Sequence, residues 1–419
     1  MVDIDMSLNP LSDEDASILA LEAGTIRGHT LKILVLDGRP PESVVPLLSA
    51  QIESGLATAP RWRQRLVPAP GAATGLAWQE DPDFDISQHV SVVTGDEVTD
   101  EALRQLSSAT MTEALDRGRP LWSIGVVPRM TGRRWALIWK IHHCLADGAA
   151  MMRAGSALLW TEPEAGRRPS GTGSRPSSAD WRSGAAGSSA ARRHVPGQLR
   201  AGTRLAALAS HRGLMYREFR RLGPLSPLAA DVGPDRTVAF ARCDFDDLRA
   251  AKRAISPPAT INDVLMAAVA GALRRWLEER GAPVTALKAQ VPVSMHPDPG
   301  TGEPQGNRDS FLLVGLPIAE ADPLARLRAV NAATRRRKNR HDAQAIDALR
   351  RTMARMPSAL RRPVRHLVQG PHEYSLNVSN IPGPATPIYV LDHRARALYS
   401  VAEIAPRHAL RISAISLAG

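Results

Sequence analysis

The segment Lys140–Ala150 reads KIHHCLADGAA and gathers residue types that can move a proton near neutral pH. Neutral imidazole accepts a proton and later returns it. His142 and His143 are adjacent, and Asp147 and Gly148 complete an HHxxxDG spacing. The preceding run, WALIWKIHH, has the composition of a buried strand. Strand geometry puts Trp135, Leu137, Trp139, Ile141 and His143 on one face, and Ile138, Lys140 and His142 on the other. The two histidines then point in opposite directions and are not expected to share a metal ion. No second pair at i, i+4 supplies the remaining ligands of a zinc site. His143 closes the apolar face, where a general base can stand at the mouth of a buried cleft. Asp147 lies at the turn into the next helix, where a carboxylate caps the helix or holds an arginine. Gly148 permits a tight turn and close approach. His142 supports the loop or packs, and Cys144 reads as a small core residue.

The elements that must position this loop are legible on either side of it. Leu31–Leu36, LKILVL, reads as a strand ended by Asp-Gly and Pro-Pro. Glu42–Leu56 carries the apolar stripe of a helix. A strand is expected near Val90–Val93 and a helix over Asp100–Leu115. LWSIGVV and RWALIWKIHH form neighbouring strands with Met130-Thr-Gly132 at their turn, and a helix begins near Ala149. Pro163–Gly197 is rich in Gly, Ser, Pro and Arg without periodicity and reads as a flexible linker. Gln198–Leu222 reads as a basic crossover helix. VAFARCDFDDLRAAKRA, from Val238, reads as strand then helix, and Pro257–Gly281 contains a long helix. LKAQVPVSM and SFLLVGLPI are strands, Leu324–Met356 is helical, and EYSLNVSNIPG and HALRISAISLAG are strands again. Such alternation predicts a two-domain α/β protein, divided into 1–162, a linker and crossover over 163–235, and 236–419.

The chain has 419 residues, 43% of them hydrophobic, which is more than one ordinary core requires. Heavy use of Ala and Arg fits a GC-rich, bacterial source. Cys144 and Cys243 are the only cysteines, which makes no disulfide framework and predicts a reducing, cytoplasmic setting. No basic region precedes an apolar run at the N-terminus, so no signal peptide is read there. No apolar run approaches the roughly 20 residues that span a bilayer, so any membrane contact is peripheral. The net charge of +11 is local: Arg326–Arg365 holds thirteen Lys/Arg against two Asp/Glu. No Phe, Tyr or Trp interrupts that segment to stack on bases, which argues against nucleic acid. A phosphate-bearing ligand, an anionic lipid surface or a solvated face suits it better. Ile346, Leu349, Met353, Met356 and Leu360 form an apolar stripe there, expected to pack in the core or to rest on a lipid surface.

HHxxxDG resembles the signature of the CoA-dependent acyltransferase superfamily. Other segments narrow the resemblance to wax ester synthases/diacylglycerol acyltransferases. These are PLSDEDASILALE at Pro10–Glu22, LDRGRPLW at Leu115–Trp122, TINDVLMAAVAGALRRWL at Thr260–Leu277, VPVSM at Val291–Met295, GNRDSFLLVGLP at Gly306–Pro317 and NVSNIPGP at Asn377–Pro384. The resemblance spans nearly the whole chain, with the segments in the family's order. His296 stands where the family more often has arginine.

The resemblance implies an α/β fold of two chloramphenicol-acetyltransferase-like subdomains with mixed sheets and an active-site tunnel between them. It implies an O-acyltransferase moving a long-chain acyl group from acyl-CoA to diacylglycerol or a fatty alcohol. His143 would be the general base, Asp147 a loop-positioning residue, and His142 and Gly148 its support. A thioester is already activated, so one base plus orientation suffices, and no Gly-x-Ser-x-Gly elbow suggests a serine route. Asn262 and Asp263 match the family's second motif and are candidates for substrate binding. Asp263 alternatively completes a capping box with Thr260. Ser379 and Asn380, at a strand end, are candidates to line the tunnel. Acyl-CoA is expected as co-substrate with no further cofactor. The expected setting is the cytoplasm, with peripheral contact at the inner face of the plasma membrane or at lipid inclusions. The family usually continues past Gly419 through another strand and a helix, so the second subdomain is expected to be truncated. Two other readings stay open: a condensation-type transferase of the same superfamily, or a truncated paralogue that binds acyl-CoA or lipid without turnover.

Overall fold

The structure, a computed structural model, describes residues 8–20, 22, 24–72, 74–161, 226–294, 309–340, 346 and 373–418. Its first part runs β1 (Asn9–Pro10), α1 (Asp13–Leu19), β2 (His29–Asp37), α2 (Val44–Leu56), β3 (Gln64–Pro68), β4 (Leu76–Glu80), β5 (Val90–Val92), α3 (Asp100–Thr112), β6 (Trp122–Met130), β7 (Arg134–His142) and α4 (Gly148–Leu158). The second part has α5 (Phe245–Arg253), α6 (Ile261–Glu278), β8 (Leu287–Ser294), β9 (Asp309–Leu316), α7 (Pro323–Asn339), β10 (Leu376–Ile381), β11 (Tyr389–Val390), β12 (His393–Ala402) and β13 (Arg411–Ile415).

Three sheets carry the fold. The largest has the order β11-β12-β2-β7-β6-β5, antiparallel except for the parallel pair β5–β6. A second has the order β13-β10-β8-β9, with β10 parallel to both β13 and β8 and β9 antiparallel to β8. A small antiparallel sheet, β1-β4-β3, flanks them. Mixed sheets with helices give the α/β class expected from the alternation of elements.

β2 and β7 are apolar along most of their length because the sheet is covered on both faces. Leu34, Leu36, Trp135, Leu137, Trp139 and Ile141 form one face with Val44, Leu48, Ile52 and Leu56 of α2 and Met151, Ala154 and Leu158 of α4. Leu31, Ile33, Val35, Ala136 and Ile138 form the opposite face with Leu103 and Met111 near α3. The second core joins Val264, Ala267, Ala270 and Leu273 of α6 to Val291 of β8, Val314 of β9, Val330 of α7 and Val378 of β10.

Two findings depart from the local reading. Residues 389–402, assigned by sequence to the second subdomain, lie in the first sheet. β12 pairs with β2 from Ala395↔Leu36 to Ala402↔Thr30. The pairing covers an edge of β2 that would otherwise present unpaired backbone groups beside a buried apolar strand. The strand expected from Val238 does not form. Instead Val238 donates its N–H to Ser108 Oγ at 3.1 Å. Phe240 stacks on Tyr399 of β12, centroids 4.2 Å apart. The apolar alternation of this segment serves packing on a sheet face rather than pairing within a sheet. The linker 163–197, the crossover helix 198–222, His296 and nearly all of the stripe from Ile346 to Leu360 lie outside the described residues.

Candidate active site

β7 delivers His142, its last residue, and His143, the residue after it, to opposite sides of the sheet. At the end of the strand the His143 N–H donates to the Gly28 carbonyl at 2.9 Å, and the Leu145 N–H turns back to the His142 carbonyl at 2.9 Å. Gly28 has φ +67°, the left-handed region, and a Cβ there would stand 2.9 Å from His142 Nε2. A residue with no side chain therefore lets the entry to β2 both bond His143 and pass His142.

His142 faces the side away from α2 and α4, with its ring edge-on to His29 at 5.8 Å. Its Nδ1 accepts the Cys144 N–H at 3.1 Å, which leaves Nε2 to carry the proton of the neutral ring and donate it to the Glu22 carboxylate. Glu22 also pairs with Arg117. Burial, then the Arg117 guanidinium, lower the pKa of His142 to about 4. The carboxylate that would favour an imidazolium is shared with a cation that opposes one. Glu22 and Arg117 were not singled out from sequence, because 120 residues separate Glu22 from its histidine.

Asp147 is buried and caps α4, with Oδ1 accepting the Ala150 N–H at 2.7 Å. The turn expected at Gly148 falls on the residues before it, and Gly148 is the first residue of α4. Its contribution is closeness: a Cβ there would lie 3.0 Å from Ile381 Cδ1, at the end of β10. The HHxxxDG loop thus touches the second sheet.

The charges around His143 come from strands distant in sequence. The ring keeps partial solvent contact, and the protein enclosing it still lowers its pKa to about 4. Burial contributes most, followed by the Arg411 guanidinium of β13, with Lys32 of β2 acting in the same direction. Its own carbonyl and the Asp147 carboxylate pull the other way. His143 is therefore neutral, with a proton-accepting nitrogen, throughout the neutral range. Cys144 beside it is buried, which pushes its thiol up and leaves it un-ionised.

The second motif divides. Thr260 and Asp263 form the capping box of α6. The buried Asp263 carboxylate also accepts Asn331 Nδ2 at 3.0 Å and Thr334 Oγ1 at 2.8 Å, both from α7. The expectation that Asp263 contacts substrate gives way to an interhelical clasp, since its oxygens are engaged within the protein. Asn262 is different: its amide oxygen is buried with no hydrogen-bond partner among the described residues. On β10, Ser379 is buried and its hydroxyl donates to Ser413 Oγ at 3.1 Å, whereas Asn380 is exposed. Of this set, the described geometry brings together His142, His143, Asp147 and Gly148 and adds Ile381, Lys32 and Arg411.

Comparison with known proteins gives this geometry a family. A model of the wax ester synthase/diacylglycerol acyltransferase catalytic domain matches residues 11–265, and a model of the WS/DGAT C-terminal domain matches residues 305–419. The chain belongs to the wax ester synthase/diacylglycerol acyltransferase family. It is 31% identical to a putative diacylglycerol O-acyltransferase of Mycobacterium tuberculosis over 421 residues, covering 94% of this chain and 87% of the relative. A probable diacylglycerol O-acyltransferase of the same organism is 29% identical over 438 residues, covering 98% and 89%. Among solved structures, the wax ester synthase/diacylglycerol acyltransferase of Marinobacter aquaeolei VT8 matches with a TM-score of 0.67 at 22% identity, covering 97% of this chain and 90% of that one. A variant starter condensation domain of rhizomide synthetase, solved with C8-CoA and Leu-SNAC, matches at 0.55 and 14% identity, covering 99% and 86%. These two likenesses show the shared fold. As a family member, the chain is an acyltransferase with the mixed-sheet architecture common to WS/DGAT proteins and condensation domains.

Proposed function

We propose that the chain transfers a long-chain acyl group from acyl-CoA to the hydroxyl of diacylglycerol or a fatty alcohol, forming triacylglycerol or wax ester, with His143 as general base. The observation that carries this reading is a neutral His143 set at the end of β7, on a loop capped by Asp147 and packed against β10. His143 takes the hydroxyl proton as the alcohol oxygen attacks the thioester carbon, and returns it to the departing thiolate. Asp147 positions the loop. His142, held between Cys144 and Glu22, anchors it from the other face. Asn262, whose buried oxygen has no partner among the described residues, is the residue of the second motif kept as a substrate contact, and Ser379 and Asn380 are kept as candidates along β10. Acyl-CoA enters as co-substrate, and no other cofactor is part of the scheme.

Contact with membrane or lipid inclusions is proposed as peripheral. Both acceptors reside in lipid, and among the described residues no helix is long and apolar enough to cross a membrane. Flotation with dioleoylglycerol-containing vesicles tests that contact. CoA release from palmitoyl-CoA with either dioleoylglycerol or hexadecanol, beside His143→Ala, tests the reaction. Release that disappears in the variant supports the mechanism, and the better acceptor names the product. Equal release from both proteins removes His143 from the chemistry.

A further inference from the structure

Lys32 occupies the middle of β2, between the buried Leu31 and Ile33, and is 1% exposed. Its neighbours in register are Trp139 of β7 and Ser400 of β12. Leu31 and Ile33 belong to the core on the α3 face, so alternation turns Lys32 to the other face, the face of Trp139 and Ile141 that His143 closes. Its Nζ donates to Ser400 Oγ at 2.5 Å, and among the described residues no carboxylate pairs with it. The charged group acting on it is Arg411 from β13, and Lys32 acts in turn on His143, just past the end of β7. Glu403, just past the end of β12, is taken by the Arg27 N–H and by Arg236. Burying an ammonium without an acid is costly, and an unbranched apolar side chain would fill the same space without that cost. A second cation, Arg411, acts on both Lys32 and His143. Lys32 thus adds a buried positive charge on the His143 side of the sheet, suited to an anion that exists only while the reaction proceeds.

We propose that Lys32 is an electrostatic residue of the acyl transfer, its buried ammonium stabilising the negative charge that develops on the thioester carbonyl oxygen beside His143. The proposal rests on the acyltransferase reading of the site. The alcohol oxygen bonds to the thioester carbon while its proton passes to His143. The carbonyl π electrons move onto oxygen, leaving one oxyanion and one imidazolium. Collapse re-forms the carbonyl, breaks the C–S bond, and sends the imidazolium proton to the thiolate, releasing ester and CoA thiol. Lys32 keeps its protons throughout and acts through its charge, as preorganised donors do in water-poor sites.

The ionisation of Lys32 supplies a signature that a packing role lacks. Burial first, then Arg411, lower its pKa to about 7. The reactive form of the free protein has His143 neutral and Lys32 charged, so kcat/KM rises as pH climbs through the His143 pKa and falls as it passes that of Lys32. The test is CoA release from palmitoyl-CoA with dioleoylglycerol, over a pH series, for the parent, Lys32→Met, Lys32→Arg and His143→Ala, with thermal unfolding of each. In Lys32→Met, kcat is expected to fall by about 10²-fold, with KM for palmitoyl-CoA little changed. Its melting temperature should equal or exceed the parent's, and its alkaline limb should vanish. Lys32→Arg restores activity and moves that limb beyond the range in which Lys32 titrates. Lys32→Met with parental kcat, beside an inactive His143→Ala, overturns the role of Lys32 alone. An active His143→Ala overturns the base assignment and leaves Lys32 to be judged by its own variants. Should Lys32→Met not fold, the parental pH profile decides: a flat profile through the Lys32 titration overturns the proposal. A parent that releases no CoA overturns both readings.

Discussion

Replacing Asp263 with alanine separates a structural clasp from a substrate contact. The carboxylate accepts the Thr260 N–H at 2.8 Å, Asn331 Nδ2 at 3.0 Å and Thr334 Oγ1 at 2.8 Å. The first bond closes the N-terminus of α6, and the other two fasten it to α7. Asn331 and Thr334 are each 5% exposed, so water does not readily replace the lost acceptor. Hydrogen bonds to a charged group contribute about 1.5–3 kcal/mol each, but they are not additive within one cluster. Truncating the shared partner of a buried charged network costs about 3–5 kcal/mol, and that is the loss expected for Asp263→Ala. Thr334→Val removes one bond and should cost about 1–2 kcal/mol. Urea unfolding followed through tryptophan fluorescence and circular dichroism measures both losses, and CoA release per folded molecule measures turnover. The clasp predicts a graded loss of stability with turnover of the folded fraction preserved. Asp263→Ala that leaves the urea midpoint unchanged while abolishing turnover refutes the clasp and returns Asp263 to the substrate.

Gly28→Ala forces a left-handed alanine, a cost of about 1–2 kcal/mol, and drives a methyl against His142 Nε2. Melting temperature and kcat should fall together, because the same residue's carbonyl holds the His143 N–H. A variant with parental kcat would show that this bond does not position the base. Gly148→Val should overpack the contact with Ile381 by about 1–3 kcal/mol and lower kcat more than it raises KM for acyl-CoA. Gly148→Ala should lie between Gly148→Val and the parent in both measurements. His29 is lowered to about 3, by burial first and then Lys140, and His143 to about 4, both from 6.5. Groups whose folded pKa is depressed contribute stability that is complete above the unfolded value and lost as pH falls through the folded one. The melting temperature should therefore decline steadily as pH falls from 6.5 toward 4. Equal melting temperatures at the two ends of that window would contradict the buried neutral histidines.

The chemistry-bearing loop was legible because its determinants are local. Alternation along Trp135–His143 predicted which histidine closes the core face, and the structure places Trp135, Leu137, Trp139 and Ile141 together there. Asp147 as a helix cap and Thr260 with Asp263 as a capping box follow from spacings of three residues, and both form. β12 was missed because HRARALYSVA is half polar and becomes a strand by pairing with β2 rather than by its own pattern. Lys32 carried a signal that was visible: a charged residue inside the apolar run LKILVL. What it does there was not visible.

The amino-acid sequence by itself determined the family resemblance, the HHxxxDG loop, and the strands and helices around it, since each is encoded within a few residues of chain. Tertiary structure alone decided what surrounds His143. Ser400 lies 368 residues from Lys32, and the Asp263 carboxylate is held by partners 68 and 71 residues away. Arg411 and Ile381 reach the HHxxxDG loop only because β10 and β13 lie in a second sheet packed beside the end of the first. Electrostatic fields and packing act through space, and no pattern of local spacing records which distant charge will stand beside an imidazole.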